Sequence, residues 1–99
     1  MRAPRAQRKA VREIKWRAEC RACSYTDRAR DALYDLGLME GDVADAVSRG
    51  RLAAWMMTVR EETYYVLRAR SPEGRHLGIV CCLLVANVRI AAVFPLGSA

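Results

Sequence analysis

Residues 63–94 contain three consecutive strand patterns, and the segment before them is mainly helical. In 63–70, apolar residues alternate with more polar ones, which predicts a strand with one buried face. The tetrapeptide SPEG at 71–74 is a strong turn signal. Residues 76–85 are apolar on both faces, which predicts a central strand covered on both sides, and 88–94 predicts a further strand. Helices followed by such a meander fit few architectures of 99 residues.

Helical spacing and capping residues divide the first half of the chain. Residues 1–5 are predicted to be a flexible arm, and apolar residues recur at helical spacing between 6 and about 21. Thr26 is a suitable N-cap for the next helix, and Gly37 is a suitable stop. A third, short helix is predicted from near Asp42 to Gly50.

The segment 51–59 (RLAAWMMTV) is predicted to be a strand, with a helix as the main alternative. Its large apolar residues, Trp55, Met56 and Met57, are expected to fill the core, and 23–25 is expected to be a break between helices. The predicted fold class is α+β, as a single domain over 1–99. Two to three N-terminal helices are expected to pack on one face of a three- to four-stranded antiparallel sheet.

The basic charge is concentrated at the start of the chain. Residues 1–30 contain ten arginines and lysines against three acidic residues, a net charge of +7, whereas the rest carries −1. Such a block predicts a polyanionic partner, for example nucleic acid, the ribosome, an acidic membrane surface or an acidic protein. A solvated basic helix without a ligand is the alternative.

The sequence predicts a cytoplasmic protein with reduced thiols. No apolar segment follows the basic N-terminus as in a secretory signal, and the longest apolar run, 77–86, is about half a membrane span. Cys20 and Cys23 form half of a zinc motif that no second pair completes. Cys81 and Cys82 are adjacent on a predicted strand, so their side chains should point to opposite faces. We expect no cofactor or metal.

In this order, these segments resemble the RelE/ParE superfamily of small bacterial toxins from type II toxin–antitoxin systems. The local likeness is to the MqsR-like branch, with the BrnT-like branch as an alternative. The resemblance rests on four segments over nearly the whole chain: VREIKWRAECRACSYTDRARDALYDLGL, GDVADAVSRG, AAWMMTV and YYVLRAR.

The resemblance implies a metal-independent endoribonuclease that cleaves mRNA, at the ribosome or free, and thereby inhibits translation. It also implies a cognate antitoxin protein as partner. This chain departs from the MqsR pattern at three positions: Trp55 stands near the expected lysine, Gly78 near the expected tyrosine, and Phe94 and Pro95 near the expected basic residue. A nuclease site in this chain must therefore be built from other residues.

The substitute catalytic set predicted from the strands is Tyr64, Arg68, Arg70 and His76. Arginines can bind a phosphate and its transition-state charge, and histidine is suited to proton transfer near neutral pH. Tyr64 can stack on a base or donate its hydroxyl. Four more basic residues are expected to bind RNA, namely Arg12, Lys15, Arg60 and Arg75.

Each of these residues also has a structural interpretation. His76 could be a polar residue at a turn, the arginines could form a solvated strand face, and Tyr64 could serve packing. At the level of the whole protein, the alternatives are a catalytically inactive RelE-like module that binds protein or nucleic acid, and a nucleic-acid binder that relies on the first helix.

Overall fold

The computed structural model describes residues 3–97 and contains three helices and five strands. Their order along the chain alternates only at the start, where a short strand separates the first two helices. The elements are α1 (Arg5–Glu19), β1 (Cys23–Tyr25), α2 (Asp27–Leu36), α3 (Glu40–Ser48), β2 (Arg51–Met57), β3 (Thr63–Arg70), β4 (His76–Leu83) and β5 (Val88–Pro95).

The predicted capping residues, Thr26 and Gly37, lie at the two ends of α2. The Thr26 hydroxyl accepts a hydrogen bond from the backbone N–H of Ala29 at 3.1 Å, which satisfies one of the free donors of the first turn. Gly37 ends the helix with a φ of 66°, a left-handed conformation that costs a glycine little. Both predictions are confirmed, and Leu33 is buried beneath the helix.

The strand order in the sheet is β1-β5-β4-β3-β2. Strands β2 to β5 pair antiparallel with their neighbours, as predicted, but β1 pairs parallel with β5. The sheet is therefore mixed and five-stranded, and the expectation of three to four antiparallel strands was wrong in these two respects. The segment 23–25 is a strand and not a break. Three residues are too few to show an alternating pattern, and their partner lies about 65 residues away in the sequence.

The three helices pack on one face of the sheet, which confirms the α+β class and the helix-on-sheet arrangement. The core between the layers contains Ile14, Val43 and Val47 from the helices and alternate residues of β3, β4 and β5, with one irregularity in β5 between Ile90 and Val93. Those strand residues are Tyr65, Leu67, Ala69, Leu77, Ile79, Cys81, Val88, Ile90 and Val93.

The other face of the sheet, which we call the open face, has no helix over it among residues 3–97. Strand β4 is central, as predicted, but on this side its cover comes from neighbouring strands and not from a second layer. The Phe94 ring lies over Gly78, and Cys82 is only 3% exposed between Tyr64 and Arg89.

The expectation that Trp55, Met56 and Met57 fill the core was wrong. These side chains are 40%, 63% and 66% exposed, because β2 is an edge strand and only Leu52 of its residues is half-buried. Their apolar character indicated burial, but composition carries no information about where a strand lies within its sheet.

The predicted arm at 1–5 falls partly outside the described residues, which begin at Ala3. Pro4 immediately precedes α1, and its carbonyl accepts hydrogen bonds from the backbone N–H groups of Gln7 and Arg8, both at 3.1 Å. No helix among residues 3–97 is long and apolar enough to cross a membrane.

Candidate nucleic-acid interface

The turn between β3 and β4 brings the predicted arginines and the single histidine together. Arg70 lies directly opposite His76 on the neighbouring strand, and Arg68 lies directly opposite Arg51 on β2. Directly opposed residues of antiparallel strands share a face and have Cβ atoms about 5 Å apart. All four residues therefore lie on the open face, at the same end of the sheet.

These side chains surround a cavity of about 720 Å³ at the surface. Arg49, at the end of α3, joins them on the rim, and all five side chains are exposed. We call this group the arginine basin: Arg49, Arg51, Arg68, Arg70 and His76. The floor and the remaining wall come from the β3–β4 turn and Ala69.

The positive charge of the arginine basin is not neutralised within the described part of the chain. No carboxylate of residues 3–97 forms an ion pair with Arg51, Arg68 or Arg70. Arg49 donates from Nε to the backbone carbonyl of Asp45 at 3.3 Å, which orients the guanidinium without cancelling its charge. An anion bound here would relieve the repulsion between neighbouring arginines and accept charge-assisted hydrogen bonds.

Hydrogen bonds within the β3–β4 turn hold the two sides of the arginine basin in register. The buried Ser71 pairs with Arg75 through its backbone N–H at 2.9 Å, and its hydroxyl accepts the Arg75 N–H at 3.1 Å. Gly74 closes the turn with a φ of 88°. Because these two hydrogen bonds join the ends of the turn, Arg70 and His76 are kept opposite one another.

An exposed aromatic ring lies beside the arginine basin on the same face. Gly78 pairs with Arg68 on one side and with Phe94 on the other. A Cβ atom at Gly78 would lie 2.3 Å from Cε2 and Cζ of Phe94, so the ring occupies the space that the glycine leaves free. Phe94 is 38% exposed. Proteins that bind single-stranded nucleic acids combine aromatic side chains, on which bases stack, with basic side chains that contact the phosphates.

Tyr64, the fourth predicted catalytic residue, is not in the arginine basin. It lies six residues before Arg70 on β3, which corresponds to about 20 Å along the strand. Its hydroxyl donates to Oε2 of Glu62 at 3.2 Å and accepts from Nη2 of Arg89 at 3.2 Å. Arg89 also forms an ion pair with Glu62 at 3.3 Å, so these three side chains form a separate cluster.

This second cluster encloses the Cys82 thiol. Cys82 lies between Tyr64 and Arg89 in the same row across the sheet. Burial raises the pKa of the Cys82 thiol, and the Arg89 guanidinium opposes that shift. Burial favours a neutral thiol, which is consistent with a packing role and gives no sign of an activated nucleophile.

The four predicted RNA-binding residues are dispersed. Arg75 turns away from the open face, and its guanidinium donates a hydrogen bond to the Leu36 carbonyl at the end of α2. Arg60 lies in the loop between β2 and β3, at the end of the sheet far from Arg70. Arg12 and Lys15 lie on α1, in the helical layer on the opposite side of the sheet.

The N-terminal half of α1 forms a second basic surface. Arg5, Arg8, Lys9 and Arg12 line a depression of about 530 Å³. This surface and the arginine basin lie on opposite layers of the domain, so a ligand that contacts both must pass around an edge of the sheet.

Three residues of the interface escaped the sequence analysis: Arg49, Arg51 and Phe94. The signal for Phe94 was Gly78, since a glycine inside an apolar strand often marks a close approach by another group. Arg51 and Arg49 had no such signal, because their position depends on how β2 pairs with β3.

The cysteines do not assemble a metal site within residues 3–97, where no group of three or more potential ligands occurs. Cys20 is exposed at the end of α1, and burial raises the pKa of the half-buried Cys23 thiol despite the nearby Arg21. Cys81 and Cys82 point to opposite faces, as predicted, and burial raises the pKa of the Cys81 thiol to about 12.

Residues 3–97 thus form an α+β domain whose open sheet face carries a basic, partly aromatic surface. Comparisons with protein-family models, with curated proteins and with solved structures found no match.

Proposed function

We propose that this protein binds single-stranded RNA at the arginine basin and cleaves it as the toxin of a type II toxin–antitoxin system. The observation that carries the proposal is that His76 lies opposite Arg70 on the neighbouring strand, among arginines that form no ion pair with a carboxylate of residues 3–97. This arrangement combines groups that can bind phosphate with an imidazole, a side chain able to donate or accept a proton. The α+β architecture is compatible with the RelE-like fold that the proposal requires.

In the proposed reaction, the ribose 2′-oxygen attacks the adjacent phosphorus, loses its proton and expels the 5′-oxygen of the next nucleotide. The products are a 2′,3′-cyclic phosphate and a free 5′-hydroxyl. Arg68 and Arg70 stabilise the additional negative charge of the pentacoordinate phosphate. His76 carries out one of the two proton transfers, and solvent carries out the other.

Phe94 extends the proposed site beyond the scissile phosphate. Its exposed ring can stack on one unpaired base while Arg68, two strands away in the same row, holds the neighbouring phosphate. Bases in a duplex are already stacked on each other, so this contact favours single-stranded RNA.

The biological setting follows from the same proposal. The protein would act in the cytoplasm, on free mRNA or at the ribosome, and would be neutralised by a cognate antitoxin protein. The basic surfaces, including Arg12 and Lys15 on α1, suit RNA and an acidic antitoxin alike.

The proposal is tested by inducing the protein in bacteria without any partner, with growth and bulk mRNA followed over time. We expect growth arrest with loss of mRNA. His76→Ala and Arg68→Ala should abolish both effects, because they remove the proton-transfer group and a phosphate contact. Arg28→Ala is the matched control, since it removes an exposed arginine of α2 that lies away from the arginine basin. Undiminished toxicity in both basin variants would refute the site.

The second candidate function is RNA binding without cleavage. The position of Tyr64 favours it. The Tyr64 hydroxyl is bound to Glu62 and Arg89, away from the arginine basin, so it cannot assist His76 in proton transfer. Under this alternative, induction leaves growth and mRNA unchanged, yet purified protein still binds RNA in a manner that depends on Arg68 and Arg70.

A further inference from the structure

The arginine basin holds more positive charge than a single RNA linkage can neutralise. Arg51 and Arg68 lie opposite each other on β2 and β3, and Arg70 follows on the same face of β3, about 7 Å from Arg68. Arg49 comes from the end of α3. The four arginines therefore surround the cavity of about 720 Å³ and do not form a line. A phosphodiester carries one negative charge, so an RNA strand that crosses the cavity relieves only part of the repulsion between them.

A nucleoside triphosphate supplies the matching charge in a compact form. A terminal phosphate carries about −1.5 to −2 at pH 7. Each of the two inner phosphates adds one further negative charge, so the whole group carries about −3.5 to −4. Guanidinium groups form bidentate, charge-assisted hydrogen bonds with phosphate oxygens. The triphosphate group thus matches the four arginines in both charge and hydrogen bonding.

The lining of the arginine basin favours direct contact between arginine and phosphate. None of the residues that line the cavity is acidic, and Glu73 of the β3–β4 turn is not among them. Sites that bind a nucleotide through magnesium hold the ion with carboxylates beside the phosphates. Within residues 3–97 the lining of the basin offers no such carboxylate, so its guanidinium groups would contact the phosphate oxygens themselves.

Phe94 adds a stacking surface beside the arginines. Arg51, Arg68, Gly78 and Phe94 lie in one row across four neighbouring strands. Gly78 has no side chain, and the Phe94 ring occupies the space that it leaves. The ring therefore lies about 5 Å, the spacing of neighbouring strands, from the β3 backbone at Arg68. The base and the phosphates of one nucleotide can thus contact the ring and the guanidinium groups at the same time.

We propose that the arginine basin binds a nucleoside 5′-triphosphate, with the base stacked on Phe94 and the phosphates held by the four arginines. The same chemical group occurs in a free nucleotide and at the 5′ end of a newly made RNA strand. A bound triphosphate would occupy the cavity that an internal RNA phosphate needs, so the two ligands would compete. This inference concerns binding alone and does not depend on the proposed cleavage.

Isothermal titration calorimetry of the full chain with ATP, ADP and AMP, without added metal, tests the proposal. We expect affinity to rise at least about threefold with each added phosphate. Arg68→Ala and Arg70→Ala should each lower ATP affinity at least about tenfold, because each removes charge-assisted hydrogen bonds. Phe94→Leu should lower ATP affinity about fivefold and leave the affinity for inorganic triphosphate unchanged, since inorganic triphosphate has no base.

Arg8→Ala is the matched control, because it removes an exposed arginine from the α1 surface and none from the arginine basin. It should leave ATP affinity unchanged. Circular dichroism of each variant checks that the fold is retained. ATP that binds no more tightly than AMP would overturn the proposal. So would a loss of ATP affinity in Arg8→Ala as large as in Arg70→Ala, since the binding would then report overall charge.

Two RNA strands of one sequence, with a 5′-triphosphate or a 5′-hydroxyl, separate the two sources of the ligand. A gain of at least about tenfold for the triphosphate strand identifies the RNA end, whereas tight ATP binding without that gain identifies the free nucleotide; either result supports the proposal. Induction in bacteria separates this inference from the ribonuclease. Loss of mRNA together with equal affinity for ATP and AMP would overturn the inference alone, and tight ATP binding with intact mRNA would overturn the ribonuclease alone.

Discussion

The salt dependence of RNA binding provides a quantitative test of the arginine basin. Each phosphate contact with single-stranded RNA contributes about 0.7 to the negative slope of log affinity against log salt concentration. The arginine basin offers four arginines, Arg49, Arg51, Arg68 and Arg70, which gives a slope of about −2.8. Affinity for a short single strand should therefore fall about 50-fold between about 50 and 200 mM salt.

Removing one contact changes that slope by a predictable amount. Arg68→Ala should give a slope of about −2.1, so the same change in salt should lower affinity only about 20-fold. The measurement is fluorescence anisotropy of a labelled oligonucleotide over a series of salt concentrations. Arg28→Ala is the control for a change in overall charge, and it should retain the slope of the original chain.

The comparison with α1 determines which basic surface binds RNA. Arg12→Ala removes one charge from the α1 surface and none from the arginine basin. If Arg12→Ala lowers the slope and Arg68→Ala does not, RNA binds to α1 and the reasoning from the open face is refuted. If both variants make the slope less steep, the RNA contacts both basic surfaces and must pass around the edge of the sheet.

Two further predictions concern packing and titration. In Gly78→Ala, the new Cβ would displace the Phe94 ring, which should cost about 1 kcal/mol of stability. Urea unfolding measures this loss of stability. The same change should lower affinity for single-stranded RNA at least about fivefold in fluorescence anisotropy. Unchanged affinity in a Phe94→Leu variant would contradict the stacking role. Burial raises the pKa of the Cys81 thiol from 9.0 to about 12, so the unfolded chain releases this proton first as the pH rises. The free energy of unfolding should therefore be unaffected by this thiol below about pH 9 and fall as the pH rises from about 9 to about 12, with a loss on the order of 1 kcal/mol at about pH 10. Urea unfolding of the original chain and of Cys81→Ala across that range should differ in slope, whereas equal slopes would refute the assignment.

Local patterns predicted the parts of the fold that depend on neighbouring residues. Thr26 and Gly37 act on the ends of one helix through contacts with residues three to four positions away. The alternation in 63–70 and the SPEG turn similarly fix which face Arg68 and Arg70 occupy and place His76 opposite. The convergence of three catalytic candidates could therefore be predicted from the sequence.

Features that depend on distant pairing could not be predicted in this way. Strand β1 exists because 23–25 meet 88–90 in the sheet, and nothing in three residues reveals that partner. Tyr64 was placed on the correct face, but its partner Arg89 comes from two strands away, across Cys82. A side chain's face follows from local alternation, whereas its position along the sheet and its hydrogen-bond partners follow from tertiary pairing.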